Sequence, residues 1–246
     1  MTSPSPEHLF EDLDFLRQLL RDLTHEIAAP LTPLFGHLDL LELRTEDKLS
    51  PMQLRCMRAM RRSLRRLSAI NDRMLEMARV ERGHIPCEPV PLIPQQAVAE
   101  VVRRKSSSAD SHGVALEQRA SVADDRKICA DWNLLVIALG HLVENALRYA
   151  PDGSTITFAL DEVDDGCAIR VIDDGSAVPP SELEKILRPF YRVTDAEGYT
   201  ETAGLGLTIV DLIARRHRGH LLLSLTHPDQ EGQTGLTATL VVPWSD

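Results

Sequence analysis

Four short strings in this chain carry side chains suited to chemistry. The first is Thr24-His25-Glu26-Ile27-Ala28-Ala29-Pro30-Leu31. A carboxylate beside an imidazole can take its proton and raise the nucleophilicity of the other ring nitrogen. The second is Glu144-Asn145-Ala146-Leu147-Arg148-Tyr149. An Asn side chain offers a hard oxygen suited to Mg2+, which keeps waters and binds nucleotide phosphates; a helical Asn can equally be a capping or solvated residue. The third is Val171-Ile172-Asp173-Asp174-Gly175, an apolar run ending in acid and glycine. One of its carboxylates could accept a hydrogen bond from a purine amino group, and a plain Asp-Gly turn is the simpler alternative. The fourth is Ala203-Gly204-Leu205-Gly206-Leu207, opening an amphipathic helix. Glycines let backbone approach phosphate, and a helix N-terminus favours its charge. The string lacks both the Lys-Ser/Thr ending of a P-loop and the spacing of a dinucleotide fingerprint.

The elements that must position these groups fall into two parts. From Leu9 the apolar residues run Leu9, Leu13, Leu16, Leu20, Leu23, Ile27, Leu34 and Leu41. Steps of four and three give a period of about 3.5, the seam of a coiled coil or helix bundle. Pro30 sits on that seam and should kink the helix, leaving the Glu26 carbonyl without its usual donor. His25 lies between Leu23 and Ile27 on the outward side. Ser50-Pro51 reads as a helix start. A second seam follows through Met57, Met60, Leu64, Leu67, Asn71, Met74 and Ala78, flanked by an arginine-rich, solvated face. Two helices with one apolar stripe each cannot enclose a core alone. Pairing two hairpins into a dimeric four-helix bundle solves the burial problem.

Pro86, Pro89, Pro91 and Pro94 punctuate the chain and mark a boundary. Beyond it, helices are expected over Gln95–Arg104, Trp132–Tyr149, Ser181–Leu187 and Leu205–Arg216. Strands are expected over Val114–Arg119, Lys127–Ala130, Thr155–Leu160, Cys167–Ile172, Leu221–Leu225 and Leu236–Val242. Hairpin-like strand pairs among the helices imply a mixed sheet covered on one face. The expected divisions are a disordered N-terminus (1–8), a helical hairpin (9–84), a linker (85–94) and an α/β domain (95–246).

Composition limits what such a chain does. Its 246 residues carry 37 acidic and 27 basic side chains, for a net charge of -10. That balance argues against broad electrostatic binding to nucleic acid or an anionic membrane. No apolar run approaches the ~18 residues of a membrane span, and the N-terminus has no secretory pattern. Cys56, Cys87, Cys129 and Cys167 are scattered, without metal-ligand spacing, and read as reduced thiols of a cytoplasmic protein.

Taken in order, the strings resemble the catalytic core of a bacterial two-component sensor histidine kinase, over roughly residues 9–243. Such cores join a dimerisation and histidine-phosphotransfer hairpin to a gyrase-type ATP-binding domain, an α/β sandwich with a mixed sheet. The resemblance implies that His25 is phosphorylated and that Glu26 is its general base, with Pro30 completing the H box. His141 to Ala146 matches the N box, implying Mg2+ on Asn145, a phosphate contact at Arg148 and an adenine-lining ring at Tyr149. Asp173-Asp174-Gly175 matches the first glycine box, implying Asp173 as adenine reader. Arg188-Pro189-Phe190-Tyr191-Arg192 resembles the F box that leads into a mobile lid. Gly204-Leu205-Gly206-Leu207 matches the second glycine box at the triphosphate. ATP and Mg2+ follow as cofactors. The implied partners are a second copy and the receiver domain of a response regulator.

The chain departs from the family pattern at His141, where the N box begins with Asn, at Ala177 after Ser176, and at Thr202. Ala29 stands where a polar residue often positions water for dephosphorylation, which implies weak phosphatase activity. Few residues precede the first helix, so a signal is expected to arrive through a separate sensor protein or the core itself. Two rival readings share the strings. One is a catalytically degenerate phosphotransfer or scaffold protein; the other is a serine kinase or ATPase of the same superfamily. Asn145, Asp173 and Phe190 oppose the first, and the H-box helix opposes the second.

Overall fold

The computed structural model describes residues 27–42, 49–81, 86–175, 178–193, 204–228 and 235–245. His25 and Glu26 lie outside them, as do Ser176, Ala177 and Thr202. The chain divides into a helical unit ending at Arg82 and an α/β unit beginning at Gly83.

In the helical unit, α1 covers residues 27–42 and α2 is Pro51–Glu81. The expected start at Ser50-Pro51 is built as a capping box. The Gln53 backbone N–H donates to Ser50 Oγ (3.3 Å), and the Ser50 N–H donates back to Gln53 Oε1 (2.8 Å). Across the hairpin, Leu31 and Leu38 of α1 and Met57 of α2 are buried. Arg61 ties the helices together. Its Nε and one terminal nitrogen grip both oxygens of Glu42 (3.1 and 2.7 Å), and it also reaches Asp39 (2.7 Å). The two-oxygen grip fixes geometry that a lysine would not. This arginine was read from sequence as part of a solvated face.

In the α/β unit the order is β1 (Val90–Leu92), α3 (Pro94–Ser111), β2 (Ala115–Ala120), β3 (Ile128–Ala130), α4 (Trp132–Tyr149), β4 (Thr155–Val163), β5 (Gly166–Ile172), α5 (Gly206–Arg216), β6 (His220–Leu225) and β7 (Leu236–Pro243). Five strands form one sheet in the order β2-β4-β5-β7-β6. Only the β2–β4 pair is parallel; the other neighbours are antiparallel. Alternation along β4 sends Ile156, Phe158 and Leu160 into the core, and β5 adds Cys167, Ile169 and Val171. Helices α3, α4 and α5 form the covering layer, with α4 packed between the other two. The mixed sheet covered on one face is the expected architecture.

Three local expectations change. The proline-rich segment read as a linker contains β1, which pairs antiparallel with β3 (Pro91 opposite Cys129). Proline is tolerated there because the two-stranded ribbon leaves edges that need no N–H. The short helix expected at Ser181–Leu187 is instead a pair of 3-10 turns, Pro180–Glu182 and Lys185–Leu187. α3 runs on to Ser111 through a serine-rich stretch, whose Ser106 and Ser111 hydroxyls donate to carbonyls three residues back. Burial of Ala109 outweighs their weak helix propensity.

One buried histidine joins the ends of two helices. The Asp131 backbone N–H donates to His217 Nε2 (2.9 Å), and His217 Nδ1 donates to the Ile213 carbonyl (2.8 Å). That network fixes the neutral tautomer with its proton on Nδ1. Asp131 also caps α4 through Leu134 N–H (2.9 Å) and accepts from Glu88 N–H (3.2 Å). Burial lowers the His217 pKa below its ordinary 6.5. The unfolded chain therefore takes up the proton first, and stability from this group, full above pH 6.5, is lost as pH falls below it. His217→Ala should cost about 1–3 kcal/mol at pH 7.5, from the orphaned Asp131 N–H. The gap between wild type and variant should narrow steadily towards pH 5.5 in urea unfolding followed by circular dichroism.

Candidate active site

Helix α4 forms one wall of the site, and its residues 141, 145 and 149 share a face at four-residue spacing. A Cβ built on Gly206, at the start of α5, would lie 3.9 Å from His141 Nδ1. A Cβ built on Gly175, just past β5, would lie 2.8 Å from the Tyr149 carbonyl oxygen. Asn145 is therefore bracketed along α4 by the glycines of two different strings. It is half-buried, and its amide has no hydrogen-bond partner among the described residues. Tyr149 is half-buried and Arg148 exposed beside it.

The sequence left open which carboxylate of Asp173-Asp174 matters. Asp174 is exposed and pairs with His227 (2.9 Å). Asp173 is buried, and its Oδ1 accepts from the Gly175 N–H (2.8 Å) and the Leu236 N–H (3.2 Å). Its second oxygen has no partner among the described residues. Burial raises the Asp173 pKa to about 6, against the pull of those two N–H groups; the nearby Asp174 adds a smaller push upward.

The glycines divide by cause. Gly175 must be glycine because a side chain would strike the Tyr149 carbonyl and the Asp173 carboxylate. Gly204 has φ +66, and a Cβ there would sit 2.6 Å from the Tyr191 carbonyl oxygen. Its own carbonyl accepts from the Phe190 N–H (3.0 Å), while Thr208 Oγ1 donates to the Leu187 carbonyl (3.0 Å). The turn at exposed Phe190, whose φ of 62 is left-handed, is thus tied to the start of α5. Gly206 differs: φ is not positive and no heavy atom comes nearer than 3.9 Å. Among the described residues nothing demands glycine there. Leu205 beside it is fully buried and anchors the turn.

Sequence reading missed two supports. Gly235 donates to the Gly175 carbonyl (3.2 Å) and packs on the Asp173 backbone, so the start of β7 shapes the carboxylate's seat. The signal was its position directly before an apolar alternating run. Lys105 of α3 pairs with Glu144, the residue before Asn145, and holds that turn of α4 from outside. Buried His141 lies 3.9 Å from the other Glu144 oxygen. No group of three or more metal-ligating side chains of the His, Cys, Asp and Glu types occurs among the described residues.

Residues 130–246 match the family described as histidine kinase-, DNA gyrase B-, and HSP90-like ATPase, and residues 15–83 match the His Kinase A (phospho-acceptor) domain. Together the two matched domains are those of a two-component histidine kinase catalytic core. It is 31% identical over 204 residues to the sensor histidine kinase CpxA of Escherichia coli strain K12, covering 82% of this chain and 42% of that protein. It is 28% identical over 211 residues to the phosphate regulon sensor protein PhoR of Pseudomonas aeruginosa, covering 85% and 46%. The chain thus spans less than half the length of these curated relatives. Among solved structures, full-length ShkA in complex with AMPPNP shares the fold with a TM-score of 0.70 at 24% identity, over 93% of this chain and 46% of that one. The Acinetobacter baumannii histidine kinase AdeS gives 0.58 at 17% identity, over 89% and 98%. No helix among the described residues is long and apolar enough to cross a membrane.

In a histidine kinase the buried Asp173 carries a cost of its own. Its folded pKa of about 6 exceeds the ordinary 3.8, so its contribution to stability is fullest below pH 3.8 and is lost as pH rises through 6. Asp173→Asn keeps an oxygen for the Gly175 and Leu236 donors. At pH 7 the ligand-free variant should be more stable than wild type by about 1–3 kcal/mol, with that gain vanishing near pH 4. Thermal unfolding across that range checks it.

Proposed function

We propose that this chain is an ATP-dependent protein histidine kinase that phosphorylates its own His25 and passes the phosphoryl group to an aspartate of a response regulator. One observation carries the ATP reading: a buried Asp173 carboxylate whose Oδ1 is fixed by two backbone donors and whose other oxygen is left to accept an adenine amino hydrogen. The family descriptions, an ATPase fold and a phospho-acceptor domain, support the same reading.

Asn145, midway along the α4 wall, would hold Mg2+, which supplies charge neutralisation on the phosphate oxygens when bound. Arg148 offers a cation to phosphate, and Tyr149 lines the adenine side. Backbone N–H groups at the start of α5, beside Gly204, Leu205 and Gly206, orient the triphosphate. Phe190, hydrogen-bonded to Gly204, links the segment over the nucleotide to that phosphate contact. One ring nitrogen of His25 attacks the γ-phosphorus in line. The N–P bond forms as the bridging O–P bond breaks and ADP leaves, while Glu26 holds the proton released from the other ring nitrogen.

The helical unit supports a dimer. Each helix covers part of its apolar surface and leaves part bare. Leu31, Leu38 and Met57 are buried, whereas Leu34, Leu41, Met60 and Leu67 are 47%, 49%, 48% and 42% exposed. A second hairpin laid against those stripes completes a four-helix bundle. Cytoplasmic placement remains part of the proposal.

The protein incubated with Mg2+ and γ-labelled ATP should acquire an acid-labile, alkali-stable label. His25→Gln should abolish it, and Asp173→Asn should lower nucleotide affinity at least about tenfold, the worth of one charge-assisted hydrogen bond. Binding without labelling would favour the degenerate phosphotransfer or scaffold reading. A further outcome concerns Ala29, exposed on α1 and unable to hydrogen-bond a water. Phosphorylated regulator should lose its phosphate no faster with this protein than alone, and Ala29→Thr should speed the loss. Rapid hydrolysis by wild type would contradict this.

A further inference from the structure

The first two thirds of α2 carry charge of one sign only. Between Pro51 and Asn71 there are six arginines, no lysine and no acid. Arg61 turns to α1 and takes up Asp39 and Glu42, the two acids of that helix. Arg55, Arg58, Arg62 and Arg65 are exposed and Arg66 is half-buried. None of these five makes an ion pair among the described residues. Steps of three and four place Arg55, Arg58, Arg62 and Arg65 on one face, as a stripe about 15 Å long. Met60 is two residues from both Arg58 and Arg62, and Leu67 is two from Arg65, which is nearly opposite around a helix. A second copy laid on Met60 and Leu67 therefore leaves the stripe in water.

A solvated face costs a helix little when both signs alternate on it. Here like charges repel at three- and four-residue spacing. Arg55 and Arg58 also stand near the N-terminal end of α2, which favours acid and has none in its first turn. The guanidinium of arginine, unlike the ammonium of lysine, grips a carboxylate or phosphate through two parallel bonds. A row of one residue type that works against its own helix is fitted to an anion from outside.

We infer that the stripe is the docking surface for an acidic face of the receiver domain that takes the phosphoryl group. This rests on the kinase reading above and adds to it the charge of the partner and the side chains that read it. Residues 15–83 match a phospho-acceptor domain, so the stripe stands on the domain that the receiver visits. A compact protein is the anion that suits it. Duplex DNA or an anionic membrane extends past the stripe and meets a chain whose net charge is -10. A receiver that covers the stripe alone meets cations alone, because charges beyond about 10 Å are screened. Opposite charge then speeds encounter, and a receiver with a basic face is turned away.

The test uses the full chain and the purified receiver domains of the source organism, one at a time. Calorimetric titration at low and high salt gives affinity, and label passed on from the phosphorylated kinase gives the transfer rate. At least one receiver should bind, more weakly as salt rises. Arg58→Glu, Arg62→Glu and Arg65→Glu together should weaken that binding and slow transfer at least about tenfold, and remove most of the salt dependence. Self-labelling with γ-labelled ATP should be unchanged, and the variant should melt no lower than wild type, because the reversal relieves repulsion along α2. The corresponding triple glutamine variant, a smaller change should the reversal fail to fold, should shift affinity in the same direction. Equal binding by wild type and both variants, or binding of duplex DNA or anionic vesicles and of no receiver, would overturn the docking surface. A wild type that binds a receiver through the stripe yet never labels itself would remove the kinase reading and keep the surface.

Discussion

The candidate site depends on how closely the end of β5 approaches the end of α4. At Gly175 the backbone passes so near the Tyr149 carbonyl that a Cβ there would lie only 2.8 Å from its oxygen. That approach carries the preceding Asp173 under the sheet's covering layer, where two backbone donors grip one of its oxygens. The grip in turn needs β7 to begin at Leu236, and Gly235 to fit against the Asp173 backbone. A carboxylate buried this way is oriented before any ligand arrives, so little ordering is left for binding to supply. The same closeness explains why α4 must be apolar on most of its surface: it is walled by α3, α5 and the sheet at once.

Much of this was legible in sequence wherever the signal is local. α4 was expected over Trp132–Tyr149 and spans those residues, because a long apolar period bounded by an N-capping Asp leaves little ambiguity. The β4–β5 hairpin was legible as two strand-like runs, Thr155–Leu160 and Cys167–Ile172, joined by an acidic turn at Asp164-Asp165-Gly166. What the chain does not announce is pairing between distant segments. The parallel β2–β4 match, the bridge from Asp131 to His217 and the grip of Arg61 on Glu42 depend on where other elements go. β1 was hidden by its prolines, which signal a linker unless a short ribbon is on offer. At the site, the glycines were found by pattern, but their reasons were not. Gly175 and Gly204 serve the chain's own packing, whereas Gly206 meets no such demand among the described residues. His25 and Glu26 fall outside the described residues, so their part rests on the H-box string and on the match of residues 15–83 to a phospho-acceptor domain.

The two units are built on different economies of burial. The α/β unit closes its core by itself, through a sheet and three helices that leave few large apolar side chains bare. The helical unit closes half a core, with part of the apolar surface of each helix covered and part left bare. Its internal fastening is accordingly polar as well as apolar, with Arg61 spanning both helices near their connection. Association can then add apolar burial without having to create the hairpin first.

The placement of aromatic side chains has a practical consequence. Both tryptophans, Trp132 and Trp244, and all three tyrosines lie beyond residue 82. Trp132 opens α4 directly after Asp131, and Trp244 lies under the Arg126 guanidinium, 4.3 Å from its ring centroid. Residues 1–82 contain neither residue type. Tryptophan fluorescence therefore watches the α/β unit alone, while far-ultraviolet dichroism reports the helices of both units. Recorded together on one sample, the two signals separate the melting of each half without any label.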